Sequence, residues 1–321
     1  MSNGEGAALS SAAVIREATI EDTPQAAALR ALVNPEQVVT AEAYAYRMKT
    51  TPHAAGRRWW CAEVDGEIVG LATAGLVIET SEAGVAQLDL DVHPAHRRGG
   101  IGTELLARLE DHVRELGAHR VFAWARGDEP TLAFAEAHGY RRRSRDQMMV
   151  IDPRAVEATE APVGTELRPF ADFAHDPSGI YRVDAETVVD EPGEVRLDDI
   201  PYELWLQRWW RQPLVDLDAS IAVLVDGAPV TVTWLHTDRE RGRGANNGTG
   251  TLPAYRGRGL ALLAKRESLA RAAALGLTAV YTGNDLTNAP MLSINRKLGY
   301  QPYSTMGTLV KELGRTTPTF R

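Results

Sequence analysis

The stretch LDLDVHPAHRRGGIG at residues 88–102 decides the fold. Leu88, Leu90 and Val92 alternate with polar residues, which predicts a strand. The glycines at its end, followed by an apolar face through residues 102–116, predict a Gly-rich turn that opens an amphipathic helix. Glycine lets backbone N–H groups converge at such a turn. Together with the helix N-terminus they form an anion site suited to a pyrophosphate.

The same pattern occurs again as TLPAYRGRGLA at residues 251–261, which is 159 positions later when the two Arg-Gly turns are matched. Two other landmarks recur at nearly the same offset. The segment VDGEIVG at 64–70 resembles VDGAPVT at 225–231, and HGY at 138–140 resembles LGY at 298–300. In the first two segments, Asp65-Gly66 and Asp226-Gly227 each predict the turn of a β-hairpin. Three matches in one order predict a chain built from two copies of one unit.

The repeat predicts an N-terminal domain over 13–151, a linker over 152–164 and a C-terminal domain over 165–315. The linker contains two prolines and several acidic residues but little apolar periodicity. In each half, strands alternate with helices. We therefore expect an α/β (α+β) fold of two similar domains in tandem, each a mixed twisted sheet with helices on both faces.

Composition excludes a disordered or fibrous protein, because 44% of the 321 residues are hydrophobic and 24% are charged. The net charge of −8 argues against a general binder of nucleic acid or anionic membranes. Cys61 is the one cysteine, so no intramolecular disulfide is possible, and a reducing, cytoplasmic location is expected. We interpret Cys61 as a small buried hydrophobe. Neither a signal peptide nor a transmembrane segment is predicted.

The Gly-rich turns differ from both the Rossmann and the Walker patterns. They resemble the GNAT superfamily of acyl-CoA-dependent N-acyltransferases, in the tandem arrangement of mycothiol-synthase-like proteins. The hallmark of that family is Gln/Arg-x-x-Gly-x-Gly/Ala, and it is matched by two triplets: Arg97, Gly100 and Gly102, and Arg256, Gly259 and Ala261. A second hallmark is a Gly-aromatic pair after a later helix, matched by Gly139-Tyr140 and Gly299-Tyr300.

The resemblance implies that each turn holds the pyrophosphate of acetyl-CoA, the acyl donor, and that the preceding strand pairs with the pantetheine arm. It assigns donor binding in the first half to Leu90, Val92, His93, Arg97, Arg98, Gly99, Gly100, Ile101, Gly102 and Thr103. In the second half it assigns donor binding to Thr251, Leu252, Arg256, Gly257, Arg258, Gly259, Leu260, Ala261 and Asn288.

The resemblance also implies a catalytic base at Asp89, which would take the ammonium proton through water. The alternative is an edge-exposed aspartate that keeps its strand soluble. The family often has a tyrosine acid where this chain has Ala135 and Asn295. Three explanations stay open: water protonates the thiolate, another tyrosine such as Tyr281 or Tyr303 does so, or one half is inactive.

Two further features have two interpretations each, and one histidine pair has the spacing of a possible metal site. Trp205, Trp209 and Trp210 lie on one predicted helix and either pack in the core or form a wall of the acceptor pocket. Asp285 is either a second-half base or, more simply, a helix N-cap. His93 and His96 lack the further ligands of a metal site, so no metal is expected.

The function predicted from these residues is acetyl-CoA-dependent N-acetylation of a primary amine on a small molecule (an amino sugar, an antibiotic or a metabolite) by direct attack on the thioester. Asp89 slightly favours the first half as the catalytic one. The alternatives are a CoA-binding regulatory or scaffold protein, because Ala135 and Asn295 replace the tyrosine, and a protein N-acetyltransferase. We expect no nucleic-acid or membrane partner. We also expect either a monomer, as an internal pseudo-dimer, or a homodimer.

Overall fold

A computed structural model describes residues 12–157, 160–188, 195 and 200–314. Thirteen strands among these residues form one continuous mixed sheet, and helices cover both of its faces. No helix in the described ranges has the length and apolar character needed to cross a membrane. The mixed α/β architecture predicted from the alternation of strands and helices is confirmed.

The first half contains seven of these strands and four α-helices. The strands are β1 (Val14–Glu17), β2 (Arg58–Val64), β3 (Glu67–Leu76), β4 (Val85–Val92), β5 (Arg120–Arg126), β6 (Arg141–Arg142) and β7 (Asp146–Ile151). The helices are α1 (Thr23–Val33), α2 (Ala41–Thr50), α3 (Ile101–Glu115) and α4 (Glu129–Ala137).

The second half repeats this order. Its strands are β8 (Thr165–Pro169), β9 (Ile221–Val225), β10 (Ala228–Asp238), β11 (Arg243–Thr251), β12 (Ala279–Asp285) and β13 (Gln301–Glu312). Its helices are α5 (Ser178–Val188), α6 (Tyr202–Trp205), α7 (Leu260–Ala274) and α8 (Ala289–Leu298). The helix predicted around Trp205, Trp209 and Trp210 is confirmed, with α6 continuing without a break as a π-helical turn, Leu206–Trp210.

Both predicted hairpins form, and the reason is local. The turn between β2 and β3 places Asp65 at φ 51° and Gly66 at φ 85°, and the turn between β9 and β10 places Asp226 at φ 51° and Gly227 at φ 75°. Positive φ at both central residues is the geometry that Asp-Gly favours, and its twist matches that of the flanking strands.

The two halves exchange their last strands. The sheet order is β1-β2-β3-β4-β5-β13-β7-β12-β11-β10-β9-β8. Strand β13, from the end of the chain, therefore pairs with β5 of the first half, and β7 pairs with β12 of the second. The repeat pattern does not reveal this exchange, because each strand keeps its place in its own copy. The domain boundaries stay a prediction.

Alternation along β4 sends its side chains to opposite faces. Leu88 packs with Leu105 and Leu109 of α3 in a core on one face of the sheet. Helices α1 and α2 cover the other face, where Cys61 is fully buried. Burial raises the pKa of the Cys61 thiol to about 11, so the thiolate is disfavoured. The interpretation of Cys61 as a small buried hydrophobe is confirmed.

Candidate acyl-donor and acceptor site

In each half, two parallel strands diverge where the Gly-rich turn follows. Strands β4 and β5 are paired as far as Leu88 with Ala123, and β11 and β12 as far as Asn246 with Thr282. Among the described residues, no strand pairs with this edge of β4 or β11 beyond those points. Its backbone N–H and C=O groups need other partners. An amide-bearing ligand such as a pantetheine arm meets that need.

The two Gly-rich turns have the geometry of an anion site. Gly100 and Gly259 are the N-caps of α3 and α7, at φ 88° and φ 79°. An added Cβ at either glycine, or at Gly257, would meet no atom within 4 Å, so the space over each turn is open. The first N–H groups of both helices lack intrahelical acceptors and point into that space. These turns fit the diphosphate of a CoA ester.

The arginine that begins each motif braces the turn. Nε of Arg97 donates to the carbonyl of Val92 at 3.1 Å, and Nε of Arg256 donates to that of Thr251 at 3.0 Å. Each guanidinium therefore ties the turn to the strand before it. The first turn carries strain that the second lacks, because Arg98 has φ 69° where the second turn has a glycine.

A cavity of about 1270 Å³ lies between the two halves. Predicted donor residues that line it all come from the second half: Thr251, Arg256, Gly257, Gly259, Leu260, Ala261 and Asn288. The predicted second-half residues Leu252 and Arg258 are not among its walls. None of residues 90–103 of the first half lines it, but Asp89 does. The cavity therefore joins the second-half turn to the face of β4 that carries Asp89.

Strand β11 carries a β-bulge that β4 lacks. Thr233 faces Thr249 and Leu235 faces Asn246, so Asn247 and Gly248 together oppose a single residue of β10. Strand β4 pairs with β3 without a shift. A bulge turns backbone groups away from the ladder. In β11 it does so at Asn247 and Gly248, which line the cavity.

An ion network occupies the corresponding position in the first half. Asp91 is 3% exposed, accepts from Asn34 Nδ2 at 2.7 Å and lies 2.7 Å from Arg30 Nε. The matching position in β11 is Gly250, where an ideal Cβ would lie 2.0 Å from Thr187 Oγ1. Glycine lets helix α5 approach this strand closely. The two aspartates of β4 therefore differ in their surroundings: Asp89 lines the cavity, whereas Asp91 is buried.

Strand β4 lies between β3 and β5 in the sheet order, but its pairing with β5 ends at Leu88, so Asp89 lies where this edge of β4 opens. The alternative of an edge-exposed aspartate therefore stays open. The Asp89 side chain is 25% exposed, and its nearest cation is Arg30 at 3.9 Å. Its role as base stays a prediction.

The position where the family has its tyrosine acid and the two other candidate tyrosines have different surroundings. Asn295 is fully buried and does not line the cavity, and its amide donates at 2.7 Å to Oδ1 of Asn284, which does line it. Tyr281 lines the cavity and packs edge-on against Tyr303, whose ring is 5.2 Å away and 44% exposed. Burial raises the pKa of Tyr281, so its phenol keeps its proton.

The N-cap of α8 is Asn288, whose Oδ1 accepts from the N–H of Met291 at 3.3 Å. The N-cap interpretation of Asp285 is therefore wrong, because its carboxylate instead accepts from the N–H of Thr287 at 2.7 Å. Asp285 and Asn288 both line the cavity. In the first half, Asp128 caps α4.

The tryptophans divide between the two interpretations. Trp205 and Trp210 are buried in the second-half core, stacked 5.7 Å apart, whereas Trp209 lines the cavity. The Asp184 carboxylate accepts from Nε1 of Trp205 and Trp234, at 2.8 and 3.1 Å. This carboxylate holds the aromatic core against β10.

Sequence reasoning missed Lys265 on α7. This residue is 2% exposed and borders the cavity. No hydrogen bond or ion pair to it occurs within the described part of the chain; its ammonium lies 5.5 Å from the ring of Tyr300. Burial lowers the pKa of Lys265 to about 7. A lysine inside an otherwise apolar helix face was the available signal.

Among the residues that the structure describes, no three His, Cys, Asp or Glu side chains converge as metal ligands. Nδ1 of His93 instead accepts from the N–H of Ala95 at 3.2 Å.

These features define a protein of two GNAT folds in tandem with acyl-CoA turns. Residues 26–140 match the acetyltransferase (GNAT) family. The chain is therefore an acetyltransferase that contains a GNAT domain, and acetyl-CoA is its acyl donor.

Its relatives include the mycothiol acetyltransferase of Saccharomonospora viridis, 29% identical over 74% of this chain and 78% of that protein. The mycothiol acetyltransferase of Actinosynnema mirum is 27% identical over 84% of this chain and 90% of that one. A tandem GNAT protein from the clavulanic acid biosynthesis pathway has the same fold, with a TM-score of 0.72 and 20% identity over 95% of this chain and 100% of that one. A GCN5-related N-acetyltransferase from Sphaerobacter thermophilus has a TM-score of 0.69 and 22% identity, over 96% and 98% of the two chains.

Proposed function

We propose that the protein N-acetylates the primary amine of a small molecule, with the donor held by the second half and the acceptor held in the cavity between the halves. The observation that carries this proposal is the composition of the cavity wall. Seven predicted donor residues of the second half share one cavity with Asp89, and no first-half turn residue within the described ranges does so. This proposal replaces the slight preference for the first half that Asp89 alone gave.

Acetyl-CoA supplies the acetyl group already activated as a thioester. The chain supplies position and polarity. The turn at Gly257 and Gly259 and the first N–H groups of α7 hold the diphosphate, and the open edge of β11 holds the amide-bearing arm. Backbone donors at the bulge polarise the carbonyl oxygen. The matching region of the first half has an unshifted strand and the buried Arg30–Asp91 pair, which supports a donor site that works in one half only.

Two proton transfers remain, and they differ in cost. An alkylammonium with a pKa of about 10 costs about 4 kcal/mol to deprotonate at pH 7, whereas a thiol with a pKa of about 8.5 is only about 2 kcal/mol from its thiolate. Asp89 accepts the amine proton through water, and Tyr281 donates to the leaving sulfur. Loss of the base should therefore slow the reaction more than loss of the acid.

Paired glycine variants test the proposal. Gly259→Glu puts a carboxylate where the diphosphate binds, so calorimetry should detect no acetyl-CoA binding at that site and thiol release should stop. Gly100→Glu makes the same change in the first half and should leave turnover intact. Gly276→Glu is the matched control, because Gly276 also has positive φ and open space and lies outside the cavity wall.

Normal turnover in Gly259→Glu would refute the assignment of the donor to the second half. If the wild-type protein binds acetyl-CoA but releases no thiol with any amine of a broad panel, the proposal that the acceptor is a small-molecule amine fails.

A further inference from the structure

Four arginines line the cavity between the halves together with Asp89. Arg30 comes from α1, Arg47 from α2, Arg57 from the segment just before β2, and Arg208 from the π-helical turn of the second half. We call them the arginine cluster. It lies on the α1–α2 face of β4, whereas the donor turn is built by the second half.

Two members of the arginine cluster have carboxylate partners. Nε of Arg30 lies 2.7 Å from Asp91, and Nη2 of Arg208 lies 2.7 Å from Glu79. Within each pair the opposite charges neutralise each other, and the contact fixes the guanidinium group in the cavity wall. Glu79 is nearly buried, so the second pair is a rigid part of the cavity.

The other two members have no such partner. In the described part of the chain, no carboxylate lies within 4.0 Å of Arg47 or Arg57. Within the described ranges, the one side-chain hydrogen bond of Arg47 runs from Nε to Gln212 Oε1 at 3.4 Å, and the Arg57 guanidinium has none. Four guanidinium groups therefore face three carboxylates, those of Asp89, Asp91 and Glu79, which leaves a net charge of +1 in a half-buried space.

A net positive charge in a half-buried space without a counter-ion costs free energy. Burial lowers the pKa of Arg47 and of Arg57, and the charges of neighbouring arginines add to the effect, while Asp89 opposes it. Arginine stays protonated in proteins, so the cost is relieved by an anion rather than by loss of a proton. A guanidinium presents paired donors that match a carboxylate or a phosphate.

We propose that the acceptor is an amine that also carries an anionic group, a carboxylate or a phosphate, and that Arg47 and Arg57 bind this group. The inference rests on the proposed function and deepens it. Asp89 borders the same space and supplies the negative charge that an ammonium group prefers. The cluster thus offers complementary charges to the two ends of one acceptor, which selects amines with an anion over neutral analogues of the same size.

The experiment measures binding and transfer separately on the full chain. Two matched pairs of amines are used: glucosamine 6-phosphate with glucosamine, and β-alanine with β-alaninamide. Binding to the CoA-loaded protein is measured by calorimetry, and kcat/KM with acetyl-CoA is measured by thiol release. We expect the anionic member of at least one pair to bind at least about 10-fold better than its neutral partner, as charge-assisted hydrogen bonds allow. A preference in the glucosamine pair would identify the bound group as a phosphate, and a preference in the β-alanine pair would identify it as a carboxylate.

Arg47→Met and Arg57→Met test the residues. Each should lower affinity and kcat/KM for the anionic member by about 10- to 100-fold and leave the neutral member within about 2-fold, so the preference collapses. Arg154→Met is the control, because Arg154 is exposed, pairs with Asp152 and is not part of the cavity wall. Thermal unfolding of each variant checks that the fold is intact.

The outcomes separate the two proposals. Anion-selective binding without transfer keeps the anion subsite and refutes the transferase. Transfer without any anion preference keeps the transferase and refutes the subsite. Equal losses for both members of a pair would make the arginines structural and overturn the inference. If Arg57→Met weakens CoA binding but not binding of dephospho-CoA, the anion is the 3′-phosphate of the donor, and the acceptor proposal is also overturned.

Discussion

Replacing Gly250 by alanine tests how closely helix α5 packs on the strand that borders the donor site. An ideal Cβ at Gly250 would lie 2.0 Å from Oγ1, 2.8 Å from Cβ and 3.2 Å from Cγ2 of Thr187. The hydroxyl can rotate away, at the loss of its 2.8 Å bond to the carbonyl of Val183. The Thr187 Cβ cannot, because it is fixed to the helix backbone, so α5 and β11 must separate by several tenths of an ångström.

The expected cost follows from this geometry. Overpacking of a buried site costs about 1–3 kcal/mol. Alanine in a strand recovers about 0.5–1 kcal/mol of backbone entropy relative to glycine. Gly250→Ala should therefore lower the free energy of unfolding by about 1–2 kcal/mol. It should also weaken acetyl-CoA binding, because the shifted strand edge is the one proposed to hold the donor.

A double-mutant cycle makes the test specific. Thr187→Ala removes the 2.0 and 3.2 Å contacts but keeps the 2.8 Å contact, whereas Thr187→Gly removes all three. Partial rescue by Thr187→Ala and fuller rescue by Thr187→Gly, with a coupling energy of about 1 kcal/mol, are expected in urea denaturation. Wild-type stability and wild-type donor affinity in Gly250→Ala would refute the reasoning, as would purely additive effects.

Two further predictions concern protons. Burial lowers the pKa of Lys265 to about 7 from 10.5 in the unfolded chain, so the unfolded state binds more protons between these values and stability rises with pH there. Lys265→Met should remove this slope, and its stability gain over wild type should be about 2 kcal/mol larger at pH 7 than at pH 9, measured by urea denaturation; a pH-independent difference would contradict the burial argument. Tyr281→Phe should lower kcat by about 10-fold, and Asp89→Asn by about 100-fold or more, with acetyl-CoA affinity unchanged in calorimetry. A larger loss in Tyr281→Phe than in Asp89→Asn would reverse the proposed order of the two proton costs.

Much of the fold could be predicted from local sequence patterns. The Asp-Gly turns predicted both hairpins, because positive φ at two successive residues is a property of those residues alone. The alternation of Leu88, Leu90 and Val92 predicted β4, and the apolar face after Gly100 predicted α3, for the same reason. Asp285 failed as an N-cap because Asp and Asn both cap helices, and the choice between Asp285 and Asn288 depends on where the chain turns after β12.

The candidate site was predictable only in part. The two Gly-rich turns could be read from the sequence because a backbone anion site needs glycines in a fixed local order. The sequence could not show which of the two turns faces a cavity, since both copies carry the motif. The bulge in β11 left one trace in the sequence: the offset between copies is 158 at the strand starts and 159 at the turns. That trace is visible only once the register is known.

By itself, the sequence determined a duplicated α/β chain, its hairpins and the two turns that can hold a diphosphate, because each of these depends on residues close together along the chain. Tertiary structure alone decided the exchange of β7 and β13, the cavity between the halves, and the meeting of Arg208 with Arg47 and Arg57 in its wall. These features bring together side chains more than 100 residues apart. Their positions follow from how two sheets join edge to edge, and no local preference encodes that junction.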